Sequence, residues 1–180
     1  TLTDLQQDFL HISKKRVGID LSKPCYQRYI IVTNKVINIL NNKGCRLISN
    51  KDMRLVAAEL RRNLQPSSFV NQWSIIKMFI NFGVSNNRIP SHNIFESIKV
   101  ERKSKKVEYL TMEELDKIRN TSYSTPSLQR VADFAILEAN LGLAYCDLVD
   151  IRRGDIREHN EVKYIQKQRQ KTGVEYVVIV

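Results

Sequence analysis

From Leu5 to Ile80 the apolar residues return every three or four positions, and each run of that period is closed by a residue that cannot continue it. That spacing keeps one side of a helix apolar, so the stretch folds only as amphipathic helices sharing a core. Thr3-Asp4 can cap a first helix with Leu5, Phe9, Leu10 and Ile12 inward, ended by Gly18. Ser22-Lys23-Pro24 opens a second, reaching about Asn42 and stopped by Gly44, with Tyr29, Val32, Val36, Ile39 and Leu40 on its stripe. A third is predicted from Asn50 to Asn63, with Met53, Val56, Ala57 and Leu60 inward. A fourth runs from about Ser67 to Phe82, with Phe69, Trp73, Ile76 and Ile80 inward, and Gly83 and Asn86-Asn87 terminate it. Short turns join the four, which predicts a helical bundle over residues 1–88.

Beyond it the period changes. Thr111 and Glu114 form a capping-box start. A longer helix after Thr125-Pro126 carries Val131, Phe134, Ala135, Leu137 and Leu141 to Gly142, and a short helix follows near Cys146 to Ile151. From Asp155 the pattern is strand-like: Ile156, then Val162 to Lys167, then Val174 to Val180, with Asn160 and Gly173 at the turns. The fold class expected is mainly α followed by α+β, that is, helices leading into a three-stranded antiparallel sheet over residues 109–180. A last strand as apolar as Val177-Val178-Ile179-Val180 asks for cover, and the expectation is that the chain is part of a longer protein.

Charge separates the two segments further. Up to Val107 there are 19 Lys and Arg against 7 Asp and Glu, whereas the remainder holds 10 against 12. A bundle with so large a positive excess faces a polyanion. Residues 89–108 are expected to be a basic linker carrying Arg102, Lys103, Lys105 and Lys106; a solvated connector and a nuclear address are the other readings of that run. No apolar window reaches a membrane span and no export leader opens the sequence; Cys25, Cys45 and Cys146 never form C-x-x-C. The expectation is a cytoplasmic protein with no membrane association, disulfide, metal or cofactor.

One cluster carries chemistry. If Gln168 to Gly173 continues a strand, Arg169 and Lys171 point to one side and can reach one phosphate together, the first as a planar fork and the second as a proton-donating ammonium. Two cations on a hairpin are more often simply a solubilising surface.

Order and spacing add to this. The basic four-helix segment and linker, Leu110-Thr111-Met112-Glu113-Glu114-Leu115, Leu141-Gly142-Leu143-Ala144-Tyr145-Cys146-Asp147-Leu148, Ile151-Arg152-Arg153-Gly154-Asp155-Ile156 and Arg169-Gln170-Lys171-Thr172-Gly173 resemble the tyrosine recombinases, the phage integrase family. Within it they resemble integrases of Bacteroidetes conjugative and mobilisable elements. The resemblance spans nearly the whole chain. It implies a SAM-like core-binding domain followed by the first part of a catalytic domain, a double-stranded DNA partner, self-association as a tetramer on DNA, and metal-free transesterification through a 3′-phosphotyrosine. It makes Lys171 the hairpin lysine that protonates the leaving 5′-oxygen. The arginine of the family's first box falls on Ala144, so Arg169 is expected to supply the missing charge. None of His11, His92 and His159 starts a His-x-x-Arg box, and Tyr176 lies in a strand, so the remaining boxes are expected after Val180.

The resemblance also places the second and fourth helices against DNA. Arg28 and Lys35 on one, and Ser67, Ser68, Asn71, Gln72 and Lys77 on the other, become candidate contacts, the cations for phosphates and Asn71 or Gln72 for adenine edges. A degenerate, non-catalytic DNA-binding module and a helical protein-interaction domain are the alternatives.

Overall fold

Helix α1, Leu2–Lys15, is capped by Thr1 rather than at Thr3-Asp4, with the Asp4 carboxylate accepting the Thr1 hydroxyl at 2.8 Å. The computed structural model describes residues 1–90, 93–101 and 107–180, and the chain divides into two units, Thr1–Lys105 and Lys106–Val180. Helix α2, Lys23–Ile39, is capped by Ser22, whose hydroxyl accepts the Cys25 N–H, and carries Pro24 in its first turn, where proline's missing donor costs nothing. It ends before Asn42 because Asn41 and Asn42 take left-handed backbone, φ 48° and 51°. The Asn42 amide oxygen then accepts the Thr3 N–H at 2.9 Å and pins that corner to α1. Helices α3, Asn50–Asn63, and α4, Pro66–Ser85, complete the bundle.

The four apolar stripes meet in one core, in which Leu5, Val36, Met53, Val56, Ile76 and Ile80 are fully buried. Ile12, expected inward, is half exposed. Gly83 is not a terminator: α4 continues through it to Ser85, and a Cβ there would lie 2.6 Å from Ile89 Cδ1 and 2.8 Å from Leu5 Cδ2. The glycine is required by close packing of α1 and the chain after α4.

That following segment corrects the reading of residues 89–101 as the start of an extended linker. Ile89 and Ile94 are buried, and Phe95, Ile98 and Val100 pack on the same core. The Asn50 amide donates to the carbonyls of Asn93, Ile94 and Glu96, and Arg61 donates to the carbonyl of Lys99. A charged tract can be strapped down in this way because its apolar residues, not its charges, meet the bundle. Arg102, Lys103, Lys105 and Lys106 lie outside the described residues.

At the start of α3 the Asp52 carboxylate accepts the amide and hydroxyl of Ser49 at 2.8 and 2.7 Å and pairs with the Lys43 ammonium at 2.7 Å. Burial alone would raise this carboxyl, but Lys43 and Ser49 outweigh it and hold it below the ordinary carboxylate range. A lowered folded value stabilises the bundle above the unfolded value, and that contribution disappears as pH falls through the folded one. Asp52→Asn is expected to cost about 0.5–2 kcal/mol at neutral pH, the usual worth of such a helix-end contact. The gap between parent and variant in urea unfolding closes on acidification below about pH 4, the ordinary aspartate range. A gap independent of pH contradicts the assignment.

The second unit holds α5 (Met112–Asn120), α6 (Pro126–Leu141), α7 (Tyr145–Val149) and strands β1 (Ile156–His159), β2 (Val162–Gln168) and β3 (Glu175–Ile179). Thr111 and Glu114 cap α5 reciprocally, and Gly142 at φ 61° closes α6. The sheet is antiparallel in the order β1-β2-β3, with Ile156, Ile165 and Val178 in one cross-strand row. Buried residues of this second unit include Ala132, Leu143, Leu148 and Ile165. The stripe expected on α6 is incompletely buried: Val131 is 65% and Leu137 46% exposed, and the helix's fully buried residue is Ala132, outside that stripe. Phe134, Ala135 and Leu141 of the same stripe are half-buried, Phe134 against the Tyr145 ring at 5.8 Å, so the stripe is covered only in part among the described residues.

Candidate nucleic-acid interface

On α2, Arg28, Ile31 and Lys35 follow one another at helical spacing along one flank. Arg28 is exposed and Lys35 half-buried. The Lys35 ammonium donates to the Gln72 side-chain oxygen on α4 at 3.1 Å, so the structure brings these two predicted contacts together. Ser67, Ser68 and Asn71 are exposed along the first turns of α4. Lys77, farther along α4, is also exposed, and its ammonium lies 5.7 Å from the centre of the Phe95 ring.

The hairpin differs from the expected strand geometry. β2 ends at Gln168, so Arg169 is just past the strand and Lys171 sits in the turn; they are not alternate residues of a ladder. Arg169 closes the turn, its N–H donating to the Val174 carbonyl and its carbonyl accepting from Gly173, both at 2.8 Å. Gly173 has φ 68°, which the tight reversal requires. The Arg169 guanidinium lies over the Tyr176 ring at 5.9 Å. Lys171 is exposed at the tip and makes no ion pair among the described residues.

Two tethers that sequence reasoning missed hold this turn. Asp147, buried in α7, accepts the backbone N–H of Gln170 at 2.9 Å, and the Asp147 N–H in turn donates to the carbonyl of Ala144. The residue between Arg169 and Lys171 is therefore tied within one helical turn of Ala144. A buried carboxylate needs such a donor, since leaving it unpaired costs about 1–3 kcal/mol or more. Lys167 makes the second tether: its ammonium reaches the Asp150 carboxylate at 2.9 Å, the Asp150 carbonyl at 2.7 Å and the Asp155 carboxylate at 3.0 Å. Bonds from Asp150 and Asp155 raise the Lys167 ammonium above its usual range, while the Arg152 N–H and then Lys167 lower the Asp155 carboxyl. Burial pushes the Tyr176 hydroxyl up, in keeping with a packing role for that side chain. Lys167 stands 17 positions after Asp150 and 12 after Asp155, spacings that name no partner until the fold is known.

Among the described residues the arrangement thus separates a sequestered lysine, Lys167, from an exposed one without an ion pair, Lys171. Among the described residues no group of three or more His, Cys, Asp or Glu could hold a metal ion, and no helix is long and apolar enough to cross a membrane.

No family model matches the sequence, and no curated protein does. Solved structures do. A lambda integrase tetramer bound to a Holliday junction aligns with a TM-score of 0.80 over 99% of this chain and 50% of that chain at 17% identity. A lambda integrase dimer bound to a COC′ core site aligns at 0.80 and 17% identity, over 99% of this chain and 62% of that one. The Tn1549 transposon integrase in complex with circular intermediate DNA aligns at 0.66 and 13% identity, over 97% and 58%. The chain has the fold of these integrases and spans half to about three-fifths of their length.

Proposed function

We propose that this chain is the core-binding domain and the beginning of the catalytic domain of a site-specific tyrosine recombinase of a mobile element, of the Bacteroidetes conjugative type. The arrangement that carries the reading is the cationic turn of Arg169 and Lys171, tied through Gln170 to Asp147 and so to the Ala144 corner, within a fold shared with DNA-bound integrases over 99% of the chain. The bundle, residues 1–88, grips one side of duplex DNA through α2 and α4, and Arg102, Lys103, Lys105 and Lys106 cross the backbone toward residues 109–180. In the complete protein a tyrosine oxygen from the carboxyl-terminal half attacks the scissile phosphorus, forming a 3′-phosphotyrosine as the P–O5′ bond breaks. Lys171 gives its proton to the departing 5′-oxygen, Arg169 offsets charge on the phosphoryl oxygens, and no metal or cofactor takes part. Protomers assemble as tetramers on DNA. Because the tyrosine and the His-x-x-Arg box lie outside these 180 residues in this reading, the chain alone binds without cutting.

A second reading, a non-catalytic DNA-binding module, draws support from Ala144, an uncharged N-cap where the family places its first phosphate ligand. Cleavage assays on the complete protein separate the two.

Binding of the 180-residue protein to duplex DNA is expected to weaken steeply with salt. Replacing Arg102, Lys103, Lys105 and Lys106 together by alanine should flatten the dependence by about 0.9 in log–log slope per lost phosphate contact, with equal loss on unrelated sequences. Absence of salt-dependent binding in the parent refutes the whole reading. An unchanged slope in the quadruple variant places the linker away from DNA.

A further inference from the structure

We infer that Lys35 and Gln72 act as one reader of DNA that presents only hydrogen-bond donors and therefore selects guanine, not adenine, at the base pair it faces. The inference rests on the DNA-binding reading of α2 and α4 and deepens it. Lysine has three N–H donors and no acceptor, so its contact with Gln72 at 3.1 Å fixes the amide with Oε1 toward Lys35 and the NH2 turned away. A glutamine that reads adenine accepts from N6 with that oxygen while its NH2 donates to N7. Here one of the oxygen's two lone pairs is taken by Lys35, and an adenine amino group approaching the other would lie beside an ammonium, donor against donor. The remaining N–H groups of Lys35 and the NH2 of Gln72 instead match the adjacent O6 and N7 acceptors of guanine.

Phosphate oxygens would also accept from such a pair, and the neighbouring side chain decides between them. Ile31, one turn before Lys35 on the same flank of α2, is 55% exposed. An aliphatic side chain gains little beside a hydrated phosphate but packs against base edges and thymine methyl groups in the major groove. Arg28, exposed two turns before Lys35 and without Lys35's bond to Gln72, is the better phosphate contact. The half-buried Lys35–Gln72 bond also orders both side chains before DNA arrives, which lowers the entropic cost of reading a base.

The test is selection of bound duplexes from a randomised pool by the 180-residue protein and its variants, each checked for parental urea unfolding. The parent enriches guanine at one position. Lys35→Met keeps the stem, removes the ammonium and frees Oε1, so the same position turns to adenine; Gln72→Ala loses the preference; Lys35→Arg, still donating only, keeps guanine. A good bidentate pair discriminates by about 1–3 kcal/mol, so the swap is expected at roughly ten- to hundredfold. Retention of guanine by Lys35→Met, or a parent whose pool has no preference that Gln72→Ala alters, overturns the inference. Failure of the parent to bind duplex at all instead removes the broader reading.

Discussion

Replacing Lys171 by alanine in the full-length recombinase proposed above is expected to slow strand cleavage by about 10²–10⁴-fold, the usual worth of a positioned general acid, with duplex affinity little changed. The expectation rests on a division of labour in the hairpin. Lys167 is bound on three sides by Asp150 and Asp155 and cannot turn to a substrate, whereas Lys171 is exposed on a turn that Asp147 holds through Gln170. A diagnostic substrate carries sulfur in place of the leaving 5′-oxygen. A thiolate departs without a proton because thiols are far more acidic than alcohols, with a cysteine pKa of about 8.5. That substrate should restore most of the lost rate to Lys171→Ala. Arg169→Ala should also cut slowly but without rescue by sulfur, since its role is charge on the phosphoryl oxygens. Adding Ala144→Arg to Arg169→Ala should then recover part of the rate. Parental cleavage by both single variants sinks the assignment, and a Lys171→Ala defect that sulfur leaves untouched excludes proton transfer as its cause.

Trp73→Ala is expected to destabilise the helical unit by about 3–5 kcal/mol, the range for removing a large aromatic side chain from a packed core. Trp73 is 1% exposed, stacks on Phe69 at 5.7 Å and takes the edge of Phe95 at 5.9 Å. Its removal both opens a cavity and releases the strap over residues 93–101, against a total stability of about 5–15 kcal/mol for a typical domain. The indole N–H has no hydrogen-bond partner among the described residues, so Trp73→Phe should cost much less, losing volume but no polar contact. Urea unfolding followed by far-UV circular dichroism measures both. A loss below about 1 kcal/mol for the alanine variant, within reach of an ordinary substitution, contradicts the packing account.

The period of three to four residues gave away the bundle because burial selects a helix side over its whole length. Boundaries were read well where chemistry is local: Ser22 and Pro24 opening α2, Thr111 with Glu114 opening α5, Gly142 closing α6. Gly83 was misread as a stop because the same residue serves a turn and a close approach, and only the positions of Leu5 and Ile89 tell which. Residues 93–101 were misread as linker because the basic run that follows them in sequence drew more notice than Ile94, Phe95 and Ile98.

The sequence by itself determined the two-part organisation, the helices, the hairpin and the concentration of positive charge, since caps, turns and period act within a few residues of one another. Tertiary structure alone decided that Lys167 is locked while Lys171 is exposed, what Asp147 holds, and that Lys35 donates to the oxygen of Gln72. Those depend on groups 12 to 37 positions apart meeting within about 3 Å, and a hydrogen bond's strength falls off so steeply with distance and angle that only a folded register can make or withhold it.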